Sequence, residues 1–195
     1  MILIITPEEI MSGETDCINQ LFQKGLDLLH IRKPFISRKE MDGFLSEIDA
    51  AFYPQLVLHS HYELADDYCI SRFHFREAAR MGGAYEAYRD KGIISTSVHD
   101  ISAYNELGKE WEYAFISPVF PSISKKGYGE GTEVLHEIQH RNNPEVKLVA
   151  LGGINQHNIR EISAYETDGV ALLGAIWESD DPLETFEKCR KNAMN

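Results

Sequence analysis

Basic residues are scarce in this 195-residue chain: 19 Lys and Arg stand against 31 Asp and Glu, giving a net charge of −12. A surface of that sign repels nucleic acid and anionic lipid, so neither is an expected partner. A phosphate-bearing ligand would have to be held by a local concentration of donors, against the overall field. Cysteine is sparse too. Cys17, Cys69 and Cys189 are scattered and odd in number, with no Cys-x-x-Cys spacing. That pattern argues against a disulfide framework or a thiolate zinc site, and for the reduced thiols of a cytosol. No apolar stretch approaches the roughly 20 residues that span a bilayer, and Met1–Ile5 is too short for a signal-peptide core. The expectation is a soluble cytoplasmic protein with no membrane contact. No linker, low-complexity segment or composition break divides residues 1–195, which read as one domain large enough to bury a full core. A homo-oligomer is compatible with these features, and nothing in them specifies one.

What the chain has in quantity is short, continuous apolar runs. They are Ile2–Ile5, Leu26–Ile31, Leu56–Leu58, Arg72–Phe75, Ile93–Ser95, Tyr113–Ile116, Leu148–Leu151 and Val170–Leu173. Continuous rather than alternating runs fit strands buried on both faces of a parallel sheet. Helix-start signals follow most of them. Ser37-Arg-Lys-Glu40 has the capping-box pattern, and Asp181-Pro182-Leu183-Glu184 sets an N-cap before a proline at the first helical position. Asp100 is a cap for Ile101–Leu107, with Gly108 as a left-handed stop, and Asn155 is a cap for the helix after Gly153. Eight strand–helix units predict a compact α/β fold, a (β/α)8 TIM barrel. The chain is short for that architecture, so loops and helices must be trimmed, above all between Leu58 and Phe75.

In such a barrel the reactive face is the carboxyl end of the strands. Six of the eight histidines (30, 59, 61, 74, 99 and, less directly, 157) lie at or just beyond strand ends, whereas His136 and His140 fall on a solvated helix. Imidazoles titrate near neutral pH and both donate and accept protons, which makes the set a candidate for acid–base work. Their spacing matches no zinc pattern, and no metal site is expected. Arg32, directly after a strand, can grip a phosphate bidentately, although an ion pair with a nearby carboxylate is the ordinary alternative for it and for Lys33. The loop from Pro118 to Gly127 brings Ser122, Ser124 and Lys125 together as donors to an anion. Gly152-Gly153, and Gly174-Ala175 after the last strand, allow backbone amides to approach that anion closely.

These pieces resemble the thiamin phosphate synthase/TenI family of thiamin-biosynthetic barrels over nearly the full length. The resemblance rests on His30-Ile-Arg32, Ser97-Val-His99, Ser117-Pro-Val-Phe-Pro-Ser-Ile-Ser-Lys125-Lys126-Gly127 and Val149-Ala-Leu-Gly-Gly-Ile154. It implies a thiazole phosphate ligand contacted by Ser122, Ser124 and amides near Gly153 and Gly174-Ala175. Arg32, Ser97 and Lys125 would face a pyrophosphate. It also implies one of two reactions. The synthase (thiamine-phosphate pyrophosphorylase) joins a pyrimidine pyrophosphate to the thiazole phosphate with magnesium; the TenI branch shifts a proton to aromatise a thiazole, without metal.

The chain departs from both patterns. The synthase lysine of strand two falls on Pro34, its magnesium aspartates fall on Ser60 and near Ala79 (with Glu77 close by), and the TenI histidine falls on Pro118. The absent carboxylates tilt the expectation slightly to metal-free proton transfer, with magnesium only if the synthase reaction is kept. The expected catalytic residues are then Arg32, His59 and His99, and Ser97 joins the phosphate-binding set. A binding protein for thiazole or thiamin phosphate with a degenerate site, or another phosphate-handling barrel, are the alternatives.

Overall fold

The computed structural model describes residues 1–122, 127 and 129–193. Eight parallel strands close into a barrel in chain order, β1 (Ile2–Ile5), β2 (Leu28–Ile31), β3 (Leu56–Leu58), β4 (Arg72–Phe75), β5 (Ile93–Val98), β6 (Trp111–Ile116), β7 (Lys147–Leu151) and β8 (Gly169–Leu172). The last strand returns to the first through the register Ile2↔Val170 and Leu3↔Ala171. The expected (β/α)8 architecture therefore stands, with every expected strand in place. The connecting helices are α1 (Glu14–Gln23), α2 (Arg38–Ser46), α3 (Glu77–Met81), α4 (Ile101–Asn105), α5 (Val134–Glu137), α6 (Ile159–Ile162), α7 (Gly174–Trp177) and α8 (Pro182–Ala193). The trimming falls where the chain length requires it: β3 and β4 are joined only by a 3₁₀ turn at Tyr62–Leu64.

Alternation sorts each strand into two cores. Ile2, Ile4, Leu29, Ile31, Leu56, Leu58, Phe73 and Phe75 point out and pack under the helices. Leu3, Ile5, Leu28, Val57, Tyr113, Phe115, Val149 and Ala171 point in and fill the barrel. Because side chains alternate with period two, the residues that continue the inward rows are fixed: His30 and Arg32 on β2, His59 after β3, His74 and Arg76 on β4, Ser95, Ser97 and His99 on β5. The fold thereby delivers four imidazoles to the barrel interior and its mouth.

The helix ends follow their chemistry in most places. Ser37 and Glu40 form both halves of the capping box, and Asp100 and Asp181 accept from the amides of Ala103 and Glu184 at 2.8 and 2.9 Å. Two expectations are corrected. Gly108 is not left-handed, because α4 closes earlier, through Glu106 and Leu107. Asn155 accepts from the His157 amide in a turn, and Asn158 takes the N-cap position of the short α6.

Lys33 leaves the mouth altogether. Its ammonium is fully buried, donates to both Glu14 carboxylate oxygens at 2.7 and 2.8 Å and to the Glu9 carbonyl at 2.7 Å, and lies over the Phe44 ring. Removing one partner strands the other charge in the interior. Lys33→Met should therefore cost roughly 3–5 kcal/mol of folding stability, and Lys33→Met/Glu14→Leu considerably less, as measured by urea unfolding. Equal losses in the single and double variants would contradict this role.

Candidate functional site

The carboxyl ends of the strands surround a cavity of about 560 Å³. Of the residues expected in the site, Arg32, His59, Ser97, His99, Ser122, Gly152, Gly153 and Gly174 all line it. Ala175 follows Gly174 into α7 and is not part of the lining. Ser124 and Lys125 lie outside the described residues. His74, one of the strand-end imidazoles, faces the cavity as well, and so do Glu8, Arg76 and Trp177, which were not among the expected site residues. Arg76 had a readable signal, since it stands two residues after His74 as Arg32 stands two after His30.

Arg32 takes the ion pair open to it, at the cavity wall. Its backbone N–H donates to Thr6 Oγ1 at 2.9 Å, and its guanidinium meets the Glu8 carboxylate at 2.7 Å on the cavity wall. The pair is partly exposed, so an incoming anion can compete with Glu8 for a guanidinium already aimed at the cavity. Apolar surface completes the wall. Phe115, Leu151, Leu173 and Trp177 are there, and the Trp177 indole is fixed by donating to the Ile5 carbonyl at 2.8 Å.

Gly152 and Gly153 stand at φ 105° and 65°, a region that side-chain-bearing residues seldom adopt. A Cβ on Gly153 would lie 2.2 Å from the Pro121 carbonyl oxygen, and one on Gly152 would lie 2.8 Å from Pro118 Cα. The glycines thus let the segment after β6 fold down onto the end of β7, where the amides of Val119 and Phe120 donate to the Leu151 and Gly152 carbonyls at 3.0 and 3.1 Å. This close approach brings the Ser122 segment to the same wall.

The histidines divide into two kinds. His99 is at the rim, and its Nδ1 lies 2.9 Å from the Ser117 carbonyl oxygen. A carbonyl only accepts, so Nδ1 is the donor, and in the neutral ring Nε2 carries the lone pair. His30, His59 and His74 are deeper and touch one another. His30 Nε2 meets Tyr113 Oη at 2.7 Å, and its Nδ1 meets His59 Nε2 at 2.8 Å. His74 bonds Ser95 Oγ through Nδ1 at 2.9 Å and Ser97 Oγ through Nε2 at 2.8 Å, while its ring stacks on His59 with centroids 4.2 Å apart. His59 Nδ1 is buried with no partner. Of the remaining two strand-end histidines, His61 bonds Ser60 and His157 is exposed, and neither lines the cavity.

Burial holds the three deep imidazoles neutral. It pushes His30 and His59 well below the ordinary histidine value, aided by neighbouring histidines and by Arg72 for the first and Arg32 and Arg76 for the second. His74 is pushed down to about 3, by burial first and then by Arg32 and Arg76. Burial also raises the Tyr113 phenol, which stays protonated beside His30. Below the ordinary value of 6.5 the unfolded chain gains protons at these positions that the folded chain refuses. Stability is therefore fully present above that pH and declines on acidification, by roughly 1.4 kcal/mol per pH unit for each imidazole involved. The urea midpoint should fall steeply from pH 7.5 to pH 5.5, and less steeply in His74→Gln; a flat profile over that window would contradict neutral burial.

Comparison with known proteins agrees with this geometry. Residues 1–176 match the family model described as thiamine monophosphate synthase. A thiamine-phosphate synthase of Listeria welshimeri is 30% identical over 179 residues, covering 89% of this chain and 84% of the relative. One of Listeria monocytogenes is 30% identical over 185 residues, covering 89% and 81%. Among solved structures, thiamine phosphate pyrophosphorylases from Bacteroides thetaiotaomicron and Pyrococcus furiosus superpose with TM-scores of 0.79 and 0.81. They share 23% and 19% identity, over 99% of this chain in both cases and 97% and 95% of theirs, which speaks for the barrel alone. The chain belongs to the thiamine monophosphate synthase family.

Proposed function

We propose that this protein acts on a thiazole phosphate in thiamin synthesis, by a proton transfer that needs no metal. The observation that carries the reading is the fixed tautomer of His99, whose Nε2 lone pair stands at the rim of the cavity that also holds Arg32, Ser122 and the glycine pair. The phosphate would lie against Ser122, Gly153 and Gly174. The thiazole ring would rest on the apolar wall. His99 Nε2 would take a proton from one ring position, and the resulting imidazolium would return it at another, so the substrate is isomerised with no change in oxidation state. His59, held neutral by burial and bonded to His30, is the weaker of the two expected bases.

Magnesium-assisted loss of pyrophosphate is the second reading, favoured by the names of the relatives. The donor set weighs against it. Magnesium prefers anionic oxygen ligands, yet of the cavity glutamates Glu8 is paired with Arg32 and Glu77 with Arg80. That leaves Glu178 as the third cavity glutamate, on α7. The relatives' names also weigh against a non-catalytic binding protein.

The purified protein should convert the non-aromatic thiazole carboxylate phosphate to its aromatic isomer in the presence of chelator. Thiamin phosphate formed only with magnesium would overturn the proposal in favour of the synthase reaction. His99→Asn should lower kcat by roughly 10²-fold or more with KM little changed, as expected for loss of a positioned general base. An unchanged kcat would remove His99 from the mechanism. Gly153→Ala, which drives a Cβ into the Pro121 carbonyl, should cost binding of the phosphate ligand at least tenfold by calorimetry. Unchanged affinity would dissociate the glycine pair from the phosphate site.

A further inference from the structure

The deep imidazoles have no task in that proton transfer, and their arrangement is unusual for a barrel interior. One nitrogen of each of His30, His59 and His74 falls within 4.8 Å of the others, the one such group of ligating side chains among the described residues. From this juxtaposition we infer that the three form a site for a borderline divalent transition metal such as zinc, with a fourth position open to the cavity.

Four features support it. Neutral imidazole is the ligating form, and burial favours that form in all three, so metal entry needs only the shared proton to change nitrogen. Two of the rings are already oriented by partners of the kind that steer metal-bound histidines: Tyr113 Oη holds His30 Nε2, and of the Ser95 and Ser97 hydroxyls on His74 one would go on steering the ring while the other gives way to the metal. The Phe115 ring packs against His30 and His74 with centroids 4.7 and 5.0 Å away, supplying an apolar shell. Finally, no partner among the described residues holds the buried His59 Nδ1, so nothing opposes the tautomer that carries the proton there and leaves Nε2 bare for the metal.

Metal entry requires a small rearrangement. His30 Nδ1 and His59 Nε2 are 2.8 Å apart and share a proton, whereas two nitrogens on a tetrahedral zinc, each about 2.0–2.1 Å from it, lie about 3.3 Å apart. The metal would replace that shared proton. If the proton is on His30, it moves to His30 Nε2, where Tyr113 Oη accepts it, so the imidazoles stay neutral overall. The nearby guanidinium groups of Arg32 and Arg76 oppose a bare dication, and an anionic oxygen in the fourth position would offset them.

The test uses the chelator-treated full chain and cobalt(II) chloride alone, with no substrate, so its outcome is independent of the proposed reaction. Wild type should bind one cobalt per chain with the visible absorption of a four-coordinate ion. His59→Gln and His74→Gln, checked for folding by circular dichroism, should each weaken binding at least tenfold. Tyr113→Phe should weaken it by roughly 10–100-fold through loss of ring orientation. The surface variant His136→Asn should bind as wild type does. Should a variant misfold, zinc(II) chloride should still raise the thermal midpoint of wild type. No stoichiometric cobalt band, equal binding by wild type and His59→Gln, or no thermal shift with zinc would overturn the inference.

Discussion

The hydrogen-bonded row Tyr113–His30–His59, running from the barrel interior to its mouth, is the constraint on which the site depends. Four strands contribute to it and to the neighbouring His74 pair, so it ties β2, the end of β3, β4, β5 and β6 together through side chains as well as through the sheet. A barrel interior ordinarily fills with branched apolar residues. Placing polar rings there is tolerable only when nearly every ring nitrogen has a partner, since each unpaired buried one costs about 1–3 kcal/mol. Five of the six nitrogens on these rings are paired, and the exception is the buried His59 Nδ1.

A division of labour follows from depth. Imidazoles below the mouth are held neutral and mutually fixed, whereas His99 at the rim is oriented by the Ser117 carbonyl, and its second nitrogen is the one the proposed proton transfer uses. Anion recognition is likewise local. In a chain of net charge −12, the cavity places Arg32 and Arg76 at the ends of β2 and β4, either side of β3, with Ser122 and the glycine pair in the loops after β6 and β7. The surrounding acidic surface makes these donors selective for an anion that also fits the apolar wall.

The barrel was readable from eight apolar runs because burial on both faces leaves a parallel strand no other composition. The inward histidines were readable as strand-end residues, and period-two alternation carries them to the mouth. Their pairing was hidden, because contacts such as His30 with Tyr113 span 83 residues and depend on the register between strands. Lys33 forms the ion pair its sequence position allows, but in the interior rather than on the surface. Beside Arg32 in sequence it looks like a second mouth cation, but the alternation that turns Arg32 inward turns Lys33 outward, onto Glu14 of α1. The glycine pair suggested anion binding, and its steric role against Pro118 and Pro121 appeared only once β6 and β7 were seen side by side.

Imidazole nitrogen NMR on histidine-labelled protein at pH 7 would examine this division directly. His30, His59 and His74 should give the shifts of neutral rings, and the neutral form of His99 should carry its proton on Nδ1. A charged ring among the three deep histidines, or the opposite tautomer at His99, would contradict it.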